Sequence, residues 1–435
     1  MPEQRSRSAQ LLEPPSRLET VFITALVLLG LFYLSYRYPF KISASTTSAT
    51  YSDTPRWLQL GKYFLFAGIL GVYAFFQSAR GHVAPLDWRS ARDLFFGAFL
   101  FVYPLIVAAT AGNLAIAETG IFFGLIPVVL ALRAGRVGIF RLRRIILAFV
   151  YLAIAIEVVQ VVLFVAVGRL PALAYGESLS VRFGSIWDDP NGWAVFTPFL
   201  MGFIATRPGG RVGKILIIGL LIVMLLFSQS LTGIGAATLG VGLTLGLLIG
   251  AQLRWRWLWS LLALLVFYVA LISFIQMVLI RNEFFALFWE TKLGSIRLHL
   301  RDLRDVADAL PGELLGVAPQ GEYGEPGYVN LARNVGVPYT LVFFAFGSAA
   351  IVRLVGLIVR YRTAPGMELL YGALFFLVTY YVAMLNLPVD TVFPLNLFAV
   401  LCMVFSYEEL ISVAPTTYAS PPAAAHRATL SFETG

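Results

Sequence analysis

The stretch GVPYTLVFFAFGSAAIVRLVGLIV, residues 336–359, is apolar over its whole length and contains a single charged residue, Arg353. About 20 apolar residues in a helix cross the roughly 30 Å hydrocarbon core of a bilayer, so this stretch predicts a transmembrane helix. Comparable runs recur along the chain at 19–36, 57–77, 93–111, 114–132, 145–167, 192–206, 213–228, 233–250, 256–280, 368–385 and 391–411. The sequence therefore predicts an all-α polytopic membrane protein with about 12 transmembrane helices.

The composition supports this class and excludes others. The 435 residues are 59% hydrophobic and 13% charged, with a mean hydropathy of +0.80, which leaves too few charges to cover the surface of soluble domains. The lone cysteine, Cys402, excludes an internal disulfide, and His82, His299 and His426 lie too far apart for a Cys/His zinc pattern. The net charge of +8 is scattered between spans without a nucleic-acid recognition module.

The distribution of charge predicts the topology. Five arginines at 133–144 form the strongest basic cluster, and the positive-inside rule places it in the cytoplasm. The resulting division has a cytoplasmic arm at 1–18, a transmembrane domain at 19–411 and a disordered cytoplasmic tail at 412–435, so both termini are predicted to be cytoplasmic. Two long segments, 168–191 and 281–335, fall on the outer side, where loops of this length usually have a function.

The second outer loop carries a row of arginines that topology does not explain. In GSIRLHLRDLRDVADAL, residues 294–310, Arg297, Arg301 and Arg304 are spaced by four and three residues and would share one face of an amphipathic helix. Guanidinium groups bind phosphates in a bidentate way, so the row predicts a pyrophosphate site. The alternative is a surface helix whose arginines pair with lipid headgroups or with neighbouring acids, which are Asp302, Asp305 and Asp308.

Three further segments contain candidate residues. In RFGSIWDDPNGWAVF, residues 182–196, Asn191 is a predicted N-cap for a helix whose start could bind an anion beside Arg182; the alternative is an ordinary junction between loop and helix. In GEYGEPGYVNLARNVGVP, residues 321–338, Tyr323 and Tyr328 could stack on sugars or be interfacial aromatics, with Arg333 at the outer end of the next span. The small residues of FSQSLTGIGAATLG, residues 227–240, favour close helix packing.

Together and in this order, these segments resemble the O-antigen polymerase and ligase superfamily, the Wzy-type polymerases and their ligase relatives. The blocks are RFGSIWDDPNGWA, SQSLTGIGA, RLHLRDLRDVADALPGELLGVAP and YVNLARNVGVP, over roughly residues 180–340. Two departures stand out. Leu231 follows Ser230 where the family has an arginine, and no histidine lies between 300 and 335, where the ligases often have one.

The resemblance implies a membrane glycosyltransferase of the bacterial inner (plasma) membrane. It would transfer oligosaccharide repeat units from undecaprenyl pyrophosphate onto a growing lipid-linked glycan at the periplasmic face, without a metal or other cofactor. Expected partners are the lipid-linked oligosaccharide, membrane lipid and a chain-length regulator or export complex. The expected catalytic residues are Arg297, Arg301 and Arg182, and the expected substrate-binding residues are Arg304, Asn191, Asp189, Tyr328, Arg333 and Glu325. The alternatives are ligase-type transfer to another acceptor, a lipid-linked glycan transporter and a non-catalytic scaffold.

Overall fold

The computed structural model describes residues 88–112, 116, 139–167, 174–177, 180–183, 190–228, 230–252, 301, 304, 314–316, 327–361, 367–385, 387 and 395–406. Its elements, in chain order, are α1 (Trp88–Ala111), α2 (Ile139–Val167), β1 (Ala174–Glu177), β2 (Ser180–Phe183), α3 (Pro190–Thr206), α4 (Arg211–Phe227), α5 (Leu231–Gln252), α6 (Gly327–Asn334), α7 (Val337–Arg360), α8 (Met367–Ala383) and α9 (Leu395–Val404).

The helices follow the apolar runs of the sequence. Each predicted span within the described part corresponds to a helix, while the predictions for 19–36, 57–77, 256–280 and nearly all of 114–132 lie outside the described residues. Among the described residues, two helices are long and apolar enough to cross a membrane, namely Thr232–Ile249 within α5 and Val337–Arg360. Shorter apolar helices occur at Phe95–Ala111, Tyr151–Leu163 and Met367–Ala383.

The segment at 168–191, predicted to lie on the outer side, contains an antiparallel β-hairpin that the sequence analysis did not predict. Strand β1 pairs with β2 so that Tyr175 lies opposite Arg182 and Glu177 opposite Ser180. Strands of four residues are too short for their alternation to be read with confidence from the sequence. The described part of the chain is thus predominantly helical, with one two-stranded sheet.

Helix α8 lies at the centre of the bundle and packs against α3, α5, α7 and α9. Nearly all of its side chains are buried. Its Phe376 meets the ring of Phe398 from α9 edge to face, with the centroids 5.0 Å apart. Phe196 and Phe199 of α3 meet the same Phe398 ring at 5.0 and 4.7 Å. Edge-to-face aromatic packing of this kind contributes stability beyond that of the apolar area it buries. Phe398 therefore links α3, α8 and α9.

Glycines allow α8 to approach its neighbours closely. A methyl group added to Gly240 of α5 would lie 2.6 Å from the Cα of Thr379 in α8. One added to Gly202 of α3 would lie 2.8 Å from the ring of Phe375. Small residues at helix interfaces are typical of helices that pack in a membrane, and the small-residue segment at 227–240 was predicted to pack in this way.

The contacts between helices define two ends of the bundle. Phe196 lies near Phe376 and Gly372 near Phe199, so α3 and α8 are antiparallel. The amide of Tyr328 in α6 donates to the carbonyl of Met384, just beyond α8. The start of α3, the end of α8 and α6 therefore lie at one end, called the α6 end below. The turn between α3 and α4 lies at the other, called the turn end.

Candidate functional site at the α6 end

A hydrogen bond between side chains joins two of the predicted segments at the α6 end. The hydroxyl of Ser230 donates to Oδ1 of Asn191, which lies in the first turn of α3. The same hydroxyl accepts the amide of Gly233 at 2.9 Å, so Ser230 caps the start of α5. Asn191 follows Pro190, the first residue of α3, and is therefore inside the helix rather than at the predicted N-cap position. The capping serine was missed, although a serine directly before a helical run is its usual signal.

A buried tryptophan stands two residues beyond Asn191. Trp193 is fully buried, with its ring centroid 6.3 Å from that of Phe196. Its indole N–H has no hydrogen-bond partner within the described part of the chain. A buried donor without an acceptor costs free energy. Trp193 therefore adds a polar group at this end that the sequence analysis did not single out.

Helix α6 carries two predicted substrate-binding residues. The hydroxyl of Tyr328 donates to the carbonyl of Tyr381 at 3.0 Å, and its ring meets Phe344 edge to face at 6.0 Å. Burial raises the pKa of Tyr328, so its hydroxyl stays protonated and acts as a donor. These contacts fix Tyr328 by packing, and its sugar-stacking role stays a prediction. Arg333 lies half-buried in the last turn of α6, before Gly336 separates that helix from α7, rather than at the end of the span itself.

Residues 314–316, in the middle of the predicted outer loop 281–335, contact the junction between α6 and α7. The amide of Val337 donates to the carbonyl of Leu314 at 3.0 Å. The hydroxyl of Tyr103 in α1 donates to the carbonyl of Leu315 at 3.2 Å. Gly316 and Gly336 have φ angles of +92° and +111°, which side chains rarely adopt. A methyl group on either would meet the opposing backbone at 2.8 Å. Two blocks of the resemblance, LLGVAP and ARNVGVP, are thus in backbone contact.

The arginine row is described at two positions. Arg301 and Arg304 both have helical conformation and exposed side chains, and their three-residue spacing puts them on one face of a helix. Arg182 lies in β2 opposite Tyr175. Arg297, Asp189 and Glu325 lie outside the described residues. Asn191, Tyr328 and Arg333 are therefore the predicted site residues that the structure brings to the same end of the bundle.

Two further observations bear on the chemistry of this end. Among the described residues, no three His, Cys, Asp or Glu side chains lie together in a way that could hold a metal ion. The polar groups described at the α6 end are amides, hydroxyls, an indole N–H and a guanidinium group. Groups of this kind donate hydrogen bonds to phosphate and sugar oxygens.

Comparisons with protein-family models, curated proteins and solved structures give no match to this chain. The class that the described part of the chain defines is a predominantly helical bundle, in which two of the described helices are long and apolar enough to cross a membrane.

Proposed function

We propose that the protein is an integral membrane protein in which the turn end faces the cytoplasm and the α6 end faces outward. Support comes from helices that carry apolar side chains outside and polar ones inside. In α2, Val159, Val162 and Val165 are exposed, whereas Glu157 and Gln160 are buried. A helix at a water-exposed surface shows the reverse pattern. In a bilayer, buried polar groups face the protein interior.

The proposed activity is that of a polysaccharide polymerase. A hydroxyl oxygen of an acceptor sugar attacks the anomeric carbon of a glycan carried on undecaprenyl pyrophosphate. A new glycosidic bond forms, the bond from carbon to the pyrophosphate oxygen breaks, and the hydroxyl proton passes to a base or to water. Negative charge builds on the departing pyrophosphate, and guanidinium groups held in place at the membrane surface stabilise it.

The observation that carries this proposal is the pair of exposed, helical arginines, Arg301 and Arg304. They lie ten or more residues before Leu314, where the same loop returns to the α6 end through the bonds to Val337 and Tyr103. Asn191 and Arg333 lie at that end as well. Both cations are thus on a loop that is anchored at the end of the bundle where Asn191, Tyr328 and Arg333 lie.

The test is an assay with purified protein and lipid-linked repeat units, with the products resolved on a gel. The wild type is expected to give a ladder of glycans of increasing length. Arg301→Ala is expected to lower the rate of glycan transfer on the order of 10²–10³-fold, as the loss of one oxyanion donor does in other enzymes. The matched control is Arg360→Ala, which removes another exposed arginine, at the cytoplasmic end of α7. It should leave the ladder unchanged.

Other outcomes separate the alternative functions. A single transfer product without a ladder would indicate a ligase, and translocation without transfer would indicate a transporter. A normal ladder from Arg301→Ala and from Arg297→Ala would overturn the assigned arginine role. Retention of both variants in carbonate-washed membranes, at wild-type amounts, excludes loss of the protein as the cause of lost activity.

A further inference from the structure

The turn end carries a concentration of positive charge far from the candidate site. Arg207, Arg211 and Lys214 lie within eight residues of one another, around the connection between α3 and α4. The sequence contains no aspartate or glutamate between Asp189 and Glu283. Glu368, in the first turn of the neighbouring α8, is buried. The exposed charge of this connection is therefore positive.

Two of these cations are held in place by hydrogen bonds. The guanidinium group of Arg207 donates to the hydroxyl of Tyr151 in α2 at 2.7 Å. The ammonium group of Lys214 donates to the carbonyl of Ala205 in the last turn of α3 at 3.2 Å. Arg211, the first residue of α4, is exposed. The three charges thus flank one helix start, where the backbone dipole adds partial positive charge.

Between and beyond these cations, α4 has an exposed apolar face that no other element of the described part of the chain covers. Val212, Ile215 and Leu216 are 71%, 68% and 67% exposed. The exposed face continues to the other end of the helix through Leu220, Ile222, Val223 and Leu226. The 17 residues of α4 span about 25 Å at 1.5 Å per residue. That length exceeds the depth of one leaflet, roughly half of a 30 Å hydrocarbon core.

We propose that this end of the molecule binds an anionic phospholipid, with the phosphate at Arg207, Arg211 and Lys214 and an acyl chain along the exposed face of α4. One molecule with a negative head and an apolar tail matches both parts of the surface. A second membrane helix fits less well, because tight helix pairs favour small residues four apart, and the exposed glycines of α4, Gly213 and Gly219, are six apart.

This proposal rests on the membrane embedding of the proposed function and not on the transfer reaction. The experiment uses full-length protein in vesicles of phosphatidylcholine and phosphatidylglycerol, with retained lipid counted by native mass spectrometry. The wild type should retain more phosphatidylglycerol than phosphatidylcholine. Each cation near an anionic surface contributes roughly a five-fold factor, so the variant with Arg207→Gln, Arg211→Gln and Lys214→Gln should lose on the order of 10²-fold in retention.

A photoreactive phosphatidylglycerol with a diazirine in its acyl chain locates the site. Crosslinks should map to residues 211–227 in the wild type and disappear from that peptide in the triple variant. The matched control removes three arginines elsewhere, by Arg301→Gln, Arg304→Gln and Arg333→Gln, and should keep the crosslinks in α4. If the triple variant fails to fold, Arg211→Gln replaces it, because the Arg211 side chain is exposed and its loss leaves the helix core unchanged.

Three outcomes would overturn the proposal. These are crosslinks outside α4 only, equal retention of both lipids, and displacement of the retained lipid by inorganic phosphate, which would indicate a simple anion site. Failure of the protein to remain in carbonate-washed vesicles would instead overturn the membrane embedding itself. The polymerase activity is read separately in the ladder assay, so the two proposals fail independently.

Discussion

Ser230 connects two segments that lie 39 residues apart in the chain, since its hydroxyl contacts both Asn191 and the amide of Gly233. Asn191 lies in a different segment and Gly233 in the same one, yet both contact one oxygen atom. A hydroxyl in this position stabilises the start of α5 as a cap and fixes the start of α3 beside it.

We expect Ser230→Ala to lower the free energy of unfolding by about 1–2 kcal/mol, because it removes a helix cap and a hydrogen bond. Thermal unfolding in detergent measures the loss. The matched control is Ser406→Ala, whose hydroxyl donates to the carbonyl of Met403 at 2.6 Å and caps no helix start. Equal losses in the two variants would contradict the capping role of Ser230.

The hydroxyl of Tyr103 donates a hydrogen bond to the carbonyl of Leu315 and so holds this part of the predicted outer loop. We expect Tyr103→Phe to speed amide hydrogen exchange at Val337 several-fold. The lost hydrogen bond lowers the free energy of local opening by about 0.5–1.5 kcal/mol, which corresponds to a change of that size. Exchange measured by mass spectrometry checks this. Tyr381→Phe is the matched control, because Tyr381 also donates to a backbone carbonyl at 3.2 Å, that of Phe343. Exchange at Val337 that is unchanged in Tyr103→Phe would show that the loop is held by other contacts.

At the scale of elements, the contact between α5 and α8 depends on a residue without a side chain. The backbone at Gly240 reaches Thr379 so closely that a methyl group has no space. The helix pattern predicts that α5 forms, but it does not specify the helix that its glycines face. That choice is made by the fit of Gly240 against α8.

We expect Gly240→Ala to destabilise the protein by about 1–3 kcal/mol, because the added methyl group forces α5 and α8 apart. Gly356→Ala is the control within a helix, since beyond its chain neighbours and its own helix backbone nothing lies within 4 Å of the position that its methyl group would occupy. That variant should have an unchanged free energy of unfolding or one higher by up to about 1 kcal/mol, because alanine has a higher helix propensity than glycine. Similar melting temperatures for Gly240→Ala and the wild type would argue against the close contact.

At the scale of the whole molecule, the two ends of the bundle have different chemistry. The α6 end combines Asn191, Ser230, Trp193 and a docked loop, whereas the turn end carries Arg207, Arg211 and Lys214. If the bundle crosses a membrane as proposed, these ends lie on opposite sides of it. Exposed positions at each end are available for labelling, with Leu315 at 69% exposure beside the α6–α7 junction.

We expect opposite labelling patterns for Leu315→Cys and Arg211→Cys in intact cells treated with a membrane-impermeant maleimide. Leu315→Cys should react directly, and Arg211→Cys should react only after permeabilisation. The native thiol of Cys402 is fully buried, and the Cys402→Ala background removes its signal. Direct labelling of both positions would contradict the proposed topology.

The sequence predicted the elements better than it predicted the site. Apolar runs such as 336–359 became helices because a run of that length can satisfy its own backbone hydrogen bonds only in a helix. The hairpin at 174–183 was not predicted, because strands of four residues leave almost no periodic signal. The roles of all the predicted site residues stay predictions, and Asp189, Arg297 and Glu325 lie outside the described residues.

By itself, the sequence determined the predominantly helical class and the positions of the helices, because length, hydropathy and glycine placement act locally along the chain. Only the tertiary structure decided which segments meet. The pairing of Asn191 with Ser230, and the contact of Gly316 with the backbone before Gly336, join residues that are distant in the sequence. Such contacts depend on the fit of two surfaces rather than on the composition of either one. No local pattern in this chain specified these contacts, because the sequence of one segment does not determine which other segment packs against it.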